Sequence, residues 1–264
     1  MVPIDLSGKL ALVTGASQGI GRGCAEWIAR AGGGVALVAR SADLLEEAAG
    51  EIRSAGGTAE AIPADLTEPG KPEWVVTETV RRLGGLDILV NVAGVSRRSD
   101  PADVSDEDID LAIDLKLRAA MHLTRAAIPH IRERGGGSIV FTGGSSQRGT
   151  VNMHGSGCIP NAALAAYKHQ LAGRLAPEGI RVNLLMPGAT KTPRMERNNR
   201  RVSELTGKSL AEVEAGRMGS IPMGRLGAAD DCGKVVLFLV SDLASYVTGE
   251  SIGVDGGLCA AVRY

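Results

Sequence analysis

The chain has 264 residues, of which 44% are hydrophobic and 22% are charged, and its 29 basic and 30 acidic residues leave a formal net charge of -1. This length exceeds the usual ~100 to 200 residues of one domain, but a single α/β domain with one large core can reach it. The balanced charge gives no electrostatic reason to expect nucleic acid as a partner, and the apolar content argues against disorder.

The apolar runs are short, and the cysteines are few and scattered. The run at 235–240 is far below the ~20 residues that cross a bilayer, and the initial MVPIDLSGKL lacks the features of a secretory signal. The cysteines form no CxxC pair, which argues against a zinc site and a disulfide framework. We therefore expect a soluble, cytoplasmic protein with no membrane segment and no metal, in which the cysteines act as small hydrophobic residues.

Short β-branched runs alternate with longer alanine-rich stretches, which is typical of a parallel sheet covered by helices on both faces. The predicted strands are 10–14, 35–39, 59–63, 88–91, 138–141, 181–185 and 251–254. The predicted helices cover about 20–31, 41–55, 70–83, 106–133, 158–176 and 228–241. Right-handed crossovers would place the loops after the strands at one edge of the sheet, where ligands bind. The pattern predicts an α/β fold with a doubly wound, seven-stranded parallel sheet.

No repeat, low-complexity tract or linker divides the chain, so we predict a single domain covering 1–264. Residues 193–223 depart from the β/α rhythm because they are charged and helix-forming, with glycines at 207, 216 and 219. We interpret this stretch as a lid-like insertion over the ligand-binding edge.

The first predicted strand runs into a glycine-rich loop, which is followed by a helix. The loop residues are Gly15, Ala16, Ser17, Gln18, Gly19, Ile20 and Gly21. Gly15 permits a tight turn, Gly19 lets the backbone approach a phosphate, and Gly21 lets helix and strand pack closely. The helix N-terminus adds unpaired N–H groups and partial positive charge. In this context the loop favours dinucleotide binding over a purely structural turn.

The segment from Thr14 to Gly21 resembles the TGxxxGIG signature of the short-chain dehydrogenase/reductase family. Further matching segments are Asp65-Leu66-Thr67, Asn91-Val92-Ala93-Gly94, Gly179-Ile180-Arg181-Val182-Asn183, Pro187-Gly188 with Thr190 and Thr192, Thr248-Gly249-Glu250 and Val254-Asp255-Gly256-Gly257. The resemblance covers almost the whole chain. It implies a Rossmann-like fold and an oxidoreductase that uses a nicotinamide cofactor.

The same resemblance implies cofactor contacts outside the glycine-rich loop. Asp65 and Leu66 would border the adenine ring. The residues lining the cofactor channel would be Asn91, Ala93 and Gly94. Those along the nicotinamide half would be Pro187, Gly188, Thr190 and Thr192. For Asp65 and Asn91, a simple turn-forming or capping role is the alternative.

The second predicted strand ends without an acidic residue to hold a ribose 2′-hydroxyl. Its last residues are Val38-Ala39-Arg40-Ser41. Arg40 can instead receive a 2′-phosphate in a charge-assisted contact. We therefore expect NADP(H) to be preferred, with NAD(H) possible; an uninvolved surface arginine is the alternative.

The catalytic residues of the family are where this sequence departs from the resemblance. In the family a tyrosine transfers the proton, and a lysine four residues later lowers the phenol pKa. A serine about thirteen residues before the tyrosine polarises the substrate oxygen. Here Tyr167 and Tyr246 are followed at the fourth residue by Leu171 and Glu250, and Tyr264 ends the sequence.

Counting back from 179–183 by the interval usual in the family puts Gly157 at the tyrosine position and Asn161 at the lysine position. The serine position falls at Gly144, immediately before Ser145 and Ser146. Where the family usually has an asparagine on the fourth helix, this chain has Lys116. The resemblance thus implies a degenerate catalytic tetrad.

Other groups could transfer the proton. His154 lies one turn before Gly157, and its reference pKa of ~6.5 suits acid-base chemistry. Lys116 could supply positive charge or, if desolvated, an acid of lowered pKa. Ser145 could hydrogen-bond the substrate oxygen, and uncharged Asn161 completes the candidate set. A loop histidine without a role, a solvated lysine and a turn-forming serine are the alternatives.

Two groups of arginines flank the predicted site, Arg97 with Arg98, and then Arg194, Arg197, Arg200 and Arg201. If both face the site, they favour an anionic substrate such as a carboxylate or acyl-CoA through bidentate contacts. Solvated surface charge is the alternative.

The expected function is NAD(P)-dependent hydride transfer between nicotinamide and a small-molecule carbonyl or alcohol substrate, with a non-standard proton donor. Two alternatives stay open, a catalytically silent subunit or nucleotide-binding partner of an active paralogue, and a non-redox lyase or dehydratase. The resemblance also implies a homo-oligomer, a tetramer or dimer, while a hetero-oligomer with a paralogue is a second possibility.

Overall fold

Seven parallel strands form one sheet in the computed structural model, which describes residues 4–97, 99–100, 102–144 and 155–259. The strands are β1 (Leu10–Thr14), β2 (Gly34–Ala39), β3 (Ala59–Pro63), β4 (Ile88–Asn91), β5 (Gly137–Thr142), β6 (Ile180–Pro187) and β7 (Ser251–Val254). Their order is β3-β2-β1-β4-β5-β6-β7. The chain changes direction across the sheet between β1 and β4, so the ligand crevice of this topology lies at the carboxyl ends of those two strands.

Helices cover both faces of the sheet. They are α1 (Gly19–Arg30), α2 (Ala42–Ser54), α3 (Lys71–Leu83), α4 (Asp106–Ala112), α5 (Ala119–Glu133), α6 (Cys158–Leu175), α7 (Pro193–Thr206), α8 (Leu210–Gly219) and α9 (Ala229–Val240). Successive strand residues point to opposite faces. Val13 and Val90 therefore pack with α1, α2 and α9, while Leu12 and Leu89 pack with α3, α5 and α6. The predicted seven-stranded, doubly wound fold is confirmed.

The helix predicted over about 106–133 is confirmed in its bounds, but it is not a regular α-helix throughout. A π-turn at Ile113–Arg118 separates α4 from α5. Such a turn fits one extra residue into the helix while keeping the chain helical, so the apolar pattern on either side still reads as one helix. The π-turn is important for the site because it contains Lys116.

Residues 193–223 form the helices α7 and α8, as their helix-forming composition indicates. Thr192 caps α7 by accepting a hydrogen bond from the Met195 backbone N–H at 3.2 Å. Ser209 and Glu212 form a reciprocal capping box at the start of α8. Both helices begin with polar caps and expose most of their residues, so they lie outside the main core.

Asp87 anchors the amino-terminal edge of the sheet, opposite the ligand crevice. Its carboxylate is 1% exposed. It accepts a hydrogen bond from the Leu10 backbone N–H at 2.9 Å, and Arg134 Nε lies 3.2 Å from Asp87 Oδ1. The anchor ties the starts of β1 and β4 to the end of α5.

The cysteines of the described ranges are free, at Cys24, Cys158, Cys232 and Cys259. Burial raises the thiol pKa of Cys24 and of Cys232, so both are protonated core residues. Among the residues described, no helix combines the length and apolar character needed to span a bilayer. Within the same ranges, no group of three or more histidine, cysteine or acidic side chains could hold a metal ion.

Candidate active site

The glycine-rich loop lies at the carboxyl end of β1, and three of its positions leave little or no room for a Cβ. Gly15 has φ +66°, and a Cβ there would lie 3.0 Å from the Ala93 backbone nitrogen. Gly19 has φ +59°, and its Cβ would lie 3.1 Å from Thr192 Cγ2. At Gly21 a Cβ would meet the Gly15 carbonyl oxygen at 2.2 Å. The Ala93 and Gly15 backbones and the Thr192 side chain pack closely around these glycines, and the loop forms a cradle suited to a pyrophosphate.

Thr14 holds the cradle against the loop that follows β4. Its hydroxyl oxygen accepts hydrogen bonds from the backbone N–H groups of Val92 and Ala93, at 3.0 and 3.1 Å. Helix α1 starts inside the cradle at Gly19 and has no acidic residue in its first turn. Its unpaired N–H groups therefore offer a positive end to an anion.

A cavity of about 1050 Å³ opens from the cradle along the carboxyl edge of the sheet. The predicted cofactor residues that line it are Gly15, Ser17, Gln18, Gly19, Ile20, Gly21, Arg40, Leu66, Ala93, Gly94, Pro187, Gly188, Thr190 and Thr192. The volume lies at the upper end of the ~300 to 1,000 Å³ typical of small-molecule sites. The structure thus brings together residues from the ends of β1, β2, β3, β4 and β6 that are distant in sequence.

Asp65 and Asn91 do not line this cavity. The Asp65 carboxylate accepts hydrogen bonds from the Thr67 backbone N–H at 3.0 Å and the Thr67 hydroxyl at 2.7 Å. Burial opposes the charge on Asp65, but the Thr67 hydrogen bonds and nearby Arg40 outweigh it and lower the carboxyl pKa. Asn91 is 5% exposed at the end of β4. The Asp65 geometry fits the turn-forming alternative. Asn91 Nδ2 and Oδ1 are both buried without a hydrogen-bond partner among the described residues, so no turn or cap accounts for that side chain.

Lys116 is buried against the cavity, with 5% of its surface exposed. Its side chain lies across Gly94, where a Cβ would stand 3.1 Å from Lys116 Cδ and 3.4 Å from Nζ. Burial, and then the like charge of Arg194, lower the pKa of the Lys116 ammonium from 10.5 to about 7. The alternative of a solvated helical lysine is therefore wrong, and the amine can gain or lose a proton near neutral pH.

Asn161 lines the same cavity from the first turn of α6 and is 3% exposed. Gly157 is buried immediately before α6, and Gly144 borders the cavity after β5. Tyr167 packs on Phe141, with ring centroids 5.9 Å apart, and Tyr246 is fully exposed; neither lines the cavity. The predicted candidates Ser145 and His154, together with Ser146, Arg98 and Tyr264, lie outside the described residues.

The arginines of 193–223 divide into two sets. Arg194, Arg197 and Arg201 line the cavity from α7, whereas Arg200 does not. Arg217 of α8 and Leu258 after β7 also line it. Neither Arg217 nor Leu258 belongs to a sequence motif, so neither was predictable, and only the packing of α8 and of the segment after β7 brings them to the cavity.

The parallel sheet with its change of direction, the glycine cradle and the cavity beside it define a Rossmann-type dinucleotide-binding protein. A family model described as Enoyl-(Acyl carrier protein) reductase matches residues 15–259. The chain belongs to the short-chain dehydrogenase/reductase family.

Similar proteins cover nearly the full length of the chain. Oxidoreductase UcpA of Escherichia coli (strain K12) is 35% identical over 255 residues, which are 96% of this chain and 95% of UcpA. The 3-oxoacyl-[acyl-carrier-protein] reductase FabG of Thermotoga maritima is 31% identical over 257 residues, 96% of this chain and 98% of FabG. The crystal structure of L-sorbose reductase from Gluconobacter frateurii, complexed with NADPH and L-sorbose, has a TM-score of 0.91 and 29% identity, covering 99% of this chain and all of that one.

Proposed function

We propose that this protein is an NADP(H)-preferring oxidoreductase that interconverts a carbonyl and an alcohol, with Lys116 as the proton donor. The observation that carries the proposal is the continuity of the site: one cavity joins the glycine cradle to the buried amine of Lys116. The NADPH held by the structurally similar L-sorbose reductase supports a nicotinamide cofactor.

The residues present fit such a cofactor. The cradle and the N-terminus of α1 would hold the pyrophosphate, and Arg40 would hold a 2′-phosphate. Leu66 would border the adenine ring, and Thr190 and Thr192 would lie along the nicotinamide half. When bound, the nicotinamide supplies or accepts the hydride at the carbonyl carbon.

Lys116 would supply the proton that the reaction needs on the substrate oxygen. In the reducing direction its ammonium N–H bond breaks as the alcohol O–H bond forms, and the neutral amine regains a proton from water. In the oxidising direction the neutral amine accepts the proton of the hydroxyl. A pKa of about 7 leaves both forms populated near neutrality, which general acid-base catalysis favours. The Asn161 amide, on the same cavity, would orient the substrate oxygen.

The assignment of Lys116 as the proton donor implies that the catalytic tetrad of the family is degenerate in this chain. Gly157 and Asn161, at the positions inferred for the family tyrosine and lysine, carry neither an acidic proton nor a charge. The described tyrosines lie away from the cavity, so they do not replace the missing phenol. Lys116 is the buried titratable group that the described part of the cavity offers instead.

The first experiment is a fluorescence titration with NADPH and NADH, followed by a carbonyl screen monitored through nicotinamide absorbance. We expect turnover whose pH profile shows an apparent pKa near 7. Lys116→Met should lower kcat by about 10²-fold or more while leaving NADPH affinity within about twofold. Lys116→Arg should be equally slow, because a guanidinium does not release its proton near neutrality. Lys191→Met, the same change at an exposed lysine near the site, should retain activity.

Two results would contradict the assignment of Lys116 as the proton donor. Unchanged kcat in Lys116→Met, with loss of turnover in His154→Ala, would transfer the proton donor to His154. NADPH bound tightly with no turnover across the panel, alone and with candidate partner subunits, would favour the catalytically silent subunit instead. Gly157 and Asn161 favour that second candidate, because a protein without chemistry would have no use for a phenol or lysine there.

The single domain with 193–223 as a lid is also a proposal, supported by the cavity-lining arginines of α7 and α8. Hydrogen exchange should show slower exchange in 193–219 when NADPH and a substrate are present. Unaltered exchange there, with protection confined to the cradle, would contradict a lid.

A further inference from the structure

The wall of the cavity formed by α7 and α8 is strongly basic. Arg194, Arg197 and Arg201 stand at positions i, i+3 and i+7 of α7, which share one face of a helix. All three line the cavity, and Arg217 lines it from α8. Lys116 lines the same cavity from the π-turn. We call Arg194, Arg197 and Arg217 the arginine cluster.

The arginine cluster has no acidic partner within the described part of the chain. Arg201 lies 3.5 Å from Glu204, and Arg97, across the cavity, is bonded to Asp108 at 2.8 Å. The described ion pairs include none for Arg194, Arg197 or Arg217. The Arg217 Nε is shielded from solvent and has no hydrogen-bond partner among the described residues. A guanidinium left in this state carries an unfavourable desolvation cost unless an anion completes it.

Arg197, Arg194 and Lys116 also repel one another. Partial desolvation by the surrounding protein, and then the like charge of Arg197, lower the pKa of the Arg194 guanidinium even though the residue keeps an exposed surface, and Arg194 adds to the effect of burial on the pKa of Lys116. Burial alone lowers the pKa of Arg217. An oxyanion placed among these groups would relieve both the repulsion and the missing hydrogen bond.

The pyrophosphate of the cofactor fits the arginine cluster less well than an anion on the substrate does. The cradle and the N-terminus of α1 already offer it backbone N–H groups at the end of β1, and Arg40 stands at the end of β2. The arginine cluster lies on two helices of the insertion, and Arg194 is electrostatically coupled to Lys116, the proposed proton donor. The anion that fits this place belongs to the molecule that Lys116 protonates.

We propose that the arginine cluster binds an oxyanion of the substrate, so that the carbonyl substrate carries a carboxylate or phosphate group. That the bound anion belongs to the carbonyl substrate rests on the proposed function. Anion binding by the arginine cluster can be tested separately. Guanidinium groups recognise either oxyanion through paired N–H donors. A neutral carbonyl compound of the same size would leave the arginines unpaired.

The binding test uses calorimetry on the NADPH-saturated protein. The probes are inorganic phosphate, a 2-oxo acid such as 2-oxobutyrate, and its neutral methyl ester. We expect an anionic probe to bind about tenfold or more tightly than the ester, since the ester cannot accept charge-assisted hydrogen bonds from the arginines. Whether the 2-oxo acid or phosphate binds more tightly distinguishes the carboxylate from the phosphate source. Added salt should weaken anion binding and leave ester binding unchanged.

Three variants locate the anion. Arg197→Ala and Arg217→Ala should each weaken binding of the preferred anion about tenfold, and NADPH affinity should stay within about twofold. Arg200→Ala is the matched control, because Arg200 is an exposed arginine of α7 that does not line the cavity. It should leave both affinities unchanged. Retained NADPH binding in each variant shows that the protein has folded.

The inference is overturned if the ester binds as well as the anions, or if Arg200→Ala has the same effect as Arg197→Ala. It is also overturned if Arg197→Ala and Arg217→Ala weaken NADPH about tenfold, because the cluster would then serve the cofactor. Turnover of neutral carbonyls without anion binding would contradict this inference and leave the proposed function intact. Selective anion binding without turnover of any carbonyl would leave the anion site standing and contradict the proposed function.

Discussion

Arg40 Nη1 lies 3.8 Å from Asp65 Oδ2 across the ends of β2 and β3, and the Arg40 side chain is 72% exposed. An ion pair this long and this exposed contributes little to stability. The Asp65 carboxylate is already occupied by the two Thr67 hydrogen bonds. Arg40 is therefore free to turn toward a ligand without loss to the fold.

The first prediction concerns this arginine and cofactor choice. Arg40→Ala should weaken NADPH binding about tenfold or more, because a charge-assisted contact to the 2′-phosphate is lost, and should change NADH binding less than about twofold. Titration of both cofactors against both proteins measures the difference. Wild-type protein that binds NADH tenfold more tightly than NADPH would contradict the preference.

The second prediction compares two glycines that both have a positive φ. Gly19→Ala should weaken NADPH binding about tenfold or more, because its Cβ would enter the cradle 3.1 Å from Thr192 Cγ2. Gly56→Ala carries a similar backbone strain, with φ +88° and no atom within 4 Å of its Cβ. Each change should cost ~1 to 2 kcal/mol of stability. Equal cofactor affinity in the two variants would show that the cradle does not contact the cofactor.

The third prediction concerns the pH dependence of stability. The folded protein releases the Lys116 proton near pH 7, whereas the unfolded chain keeps it to about pH 10.5. Between these values the unfolded state binds one proton more, so the free energy of unfolding of the wild type rises with pH; below pH 7 both states are protonated and this contribution is constant. Lys116→Met should therefore be more stable than wild type by ~3 to 5 kcal/mol near pH 6, and the gap should close toward pH 10.

Urea unfolding of wild type, Lys116→Met and Lys191→Met at several pH values measures this effect. Lys191 is exposed, so its variant should follow the wild-type curve. A constant difference between Lys116→Met and wild type across the range would show that Lys116 remains charged in the folded protein.

The fourth prediction concerns Asp87, at the edge of the sheet opposite the glycine cradle. Asp87→Ala should lower the free energy of unfolding by ~2 to 4 kcal/mol, because it leaves the Leu10 N–H without its acceptor and removes a buried carboxylate from Arg134. Arg134→Met should cost less, since Arg134 is 39% exposed. NADPH affinity of both folded variants should match wild type, because Asp87 precedes β4 and lies at the edge opposite the cradle. Urea unfolding and NADPH titration check the two statements, and a weaker cofactor affinity in Asp87→Ala would show that the edges are coupled.

The sheet was predictable because each strand is a short apolar run with turn-forming residues on either side. The predicted strand 181–185 was shorter than β6, Ile180–Pro187, since Met186 and Pro187 look like the start of the following loop. The glycine cradle was predictable as well, because Gly15, Gly19 and Gly21 each meet a steric limit that sequence spacing expresses directly.

The electrostatic character of the site was not predictable in the same way. Lys116 could be named from the resemblance, but its burial depends on packing across Gly94. Its lowered pKa depends on that burial first and then on Arg194, seventy-eight positions away in the chain. The division between Arg197 and Arg200 depends on the rotation of α7 about its axis. These properties arise from tertiary packing, and no local sequence pattern indicates them.

The π-turn at Ile113–Arg118 gives the long helical segment one residue more than a regular helix of the same rise would hold. Since such a turn takes up one extra residue while the helical turns on either side keep their phase, removing a single residue would let α4 and α5 join as one regular helix without rotating either against the other. Only the side chains of the turn itself, Lys116 among them, would then point in a new direction. The direction in which position 116 points is thus set by the number of residues in this turn, and a single-codon deletion there would alter it without changing any amino acid in the cavity.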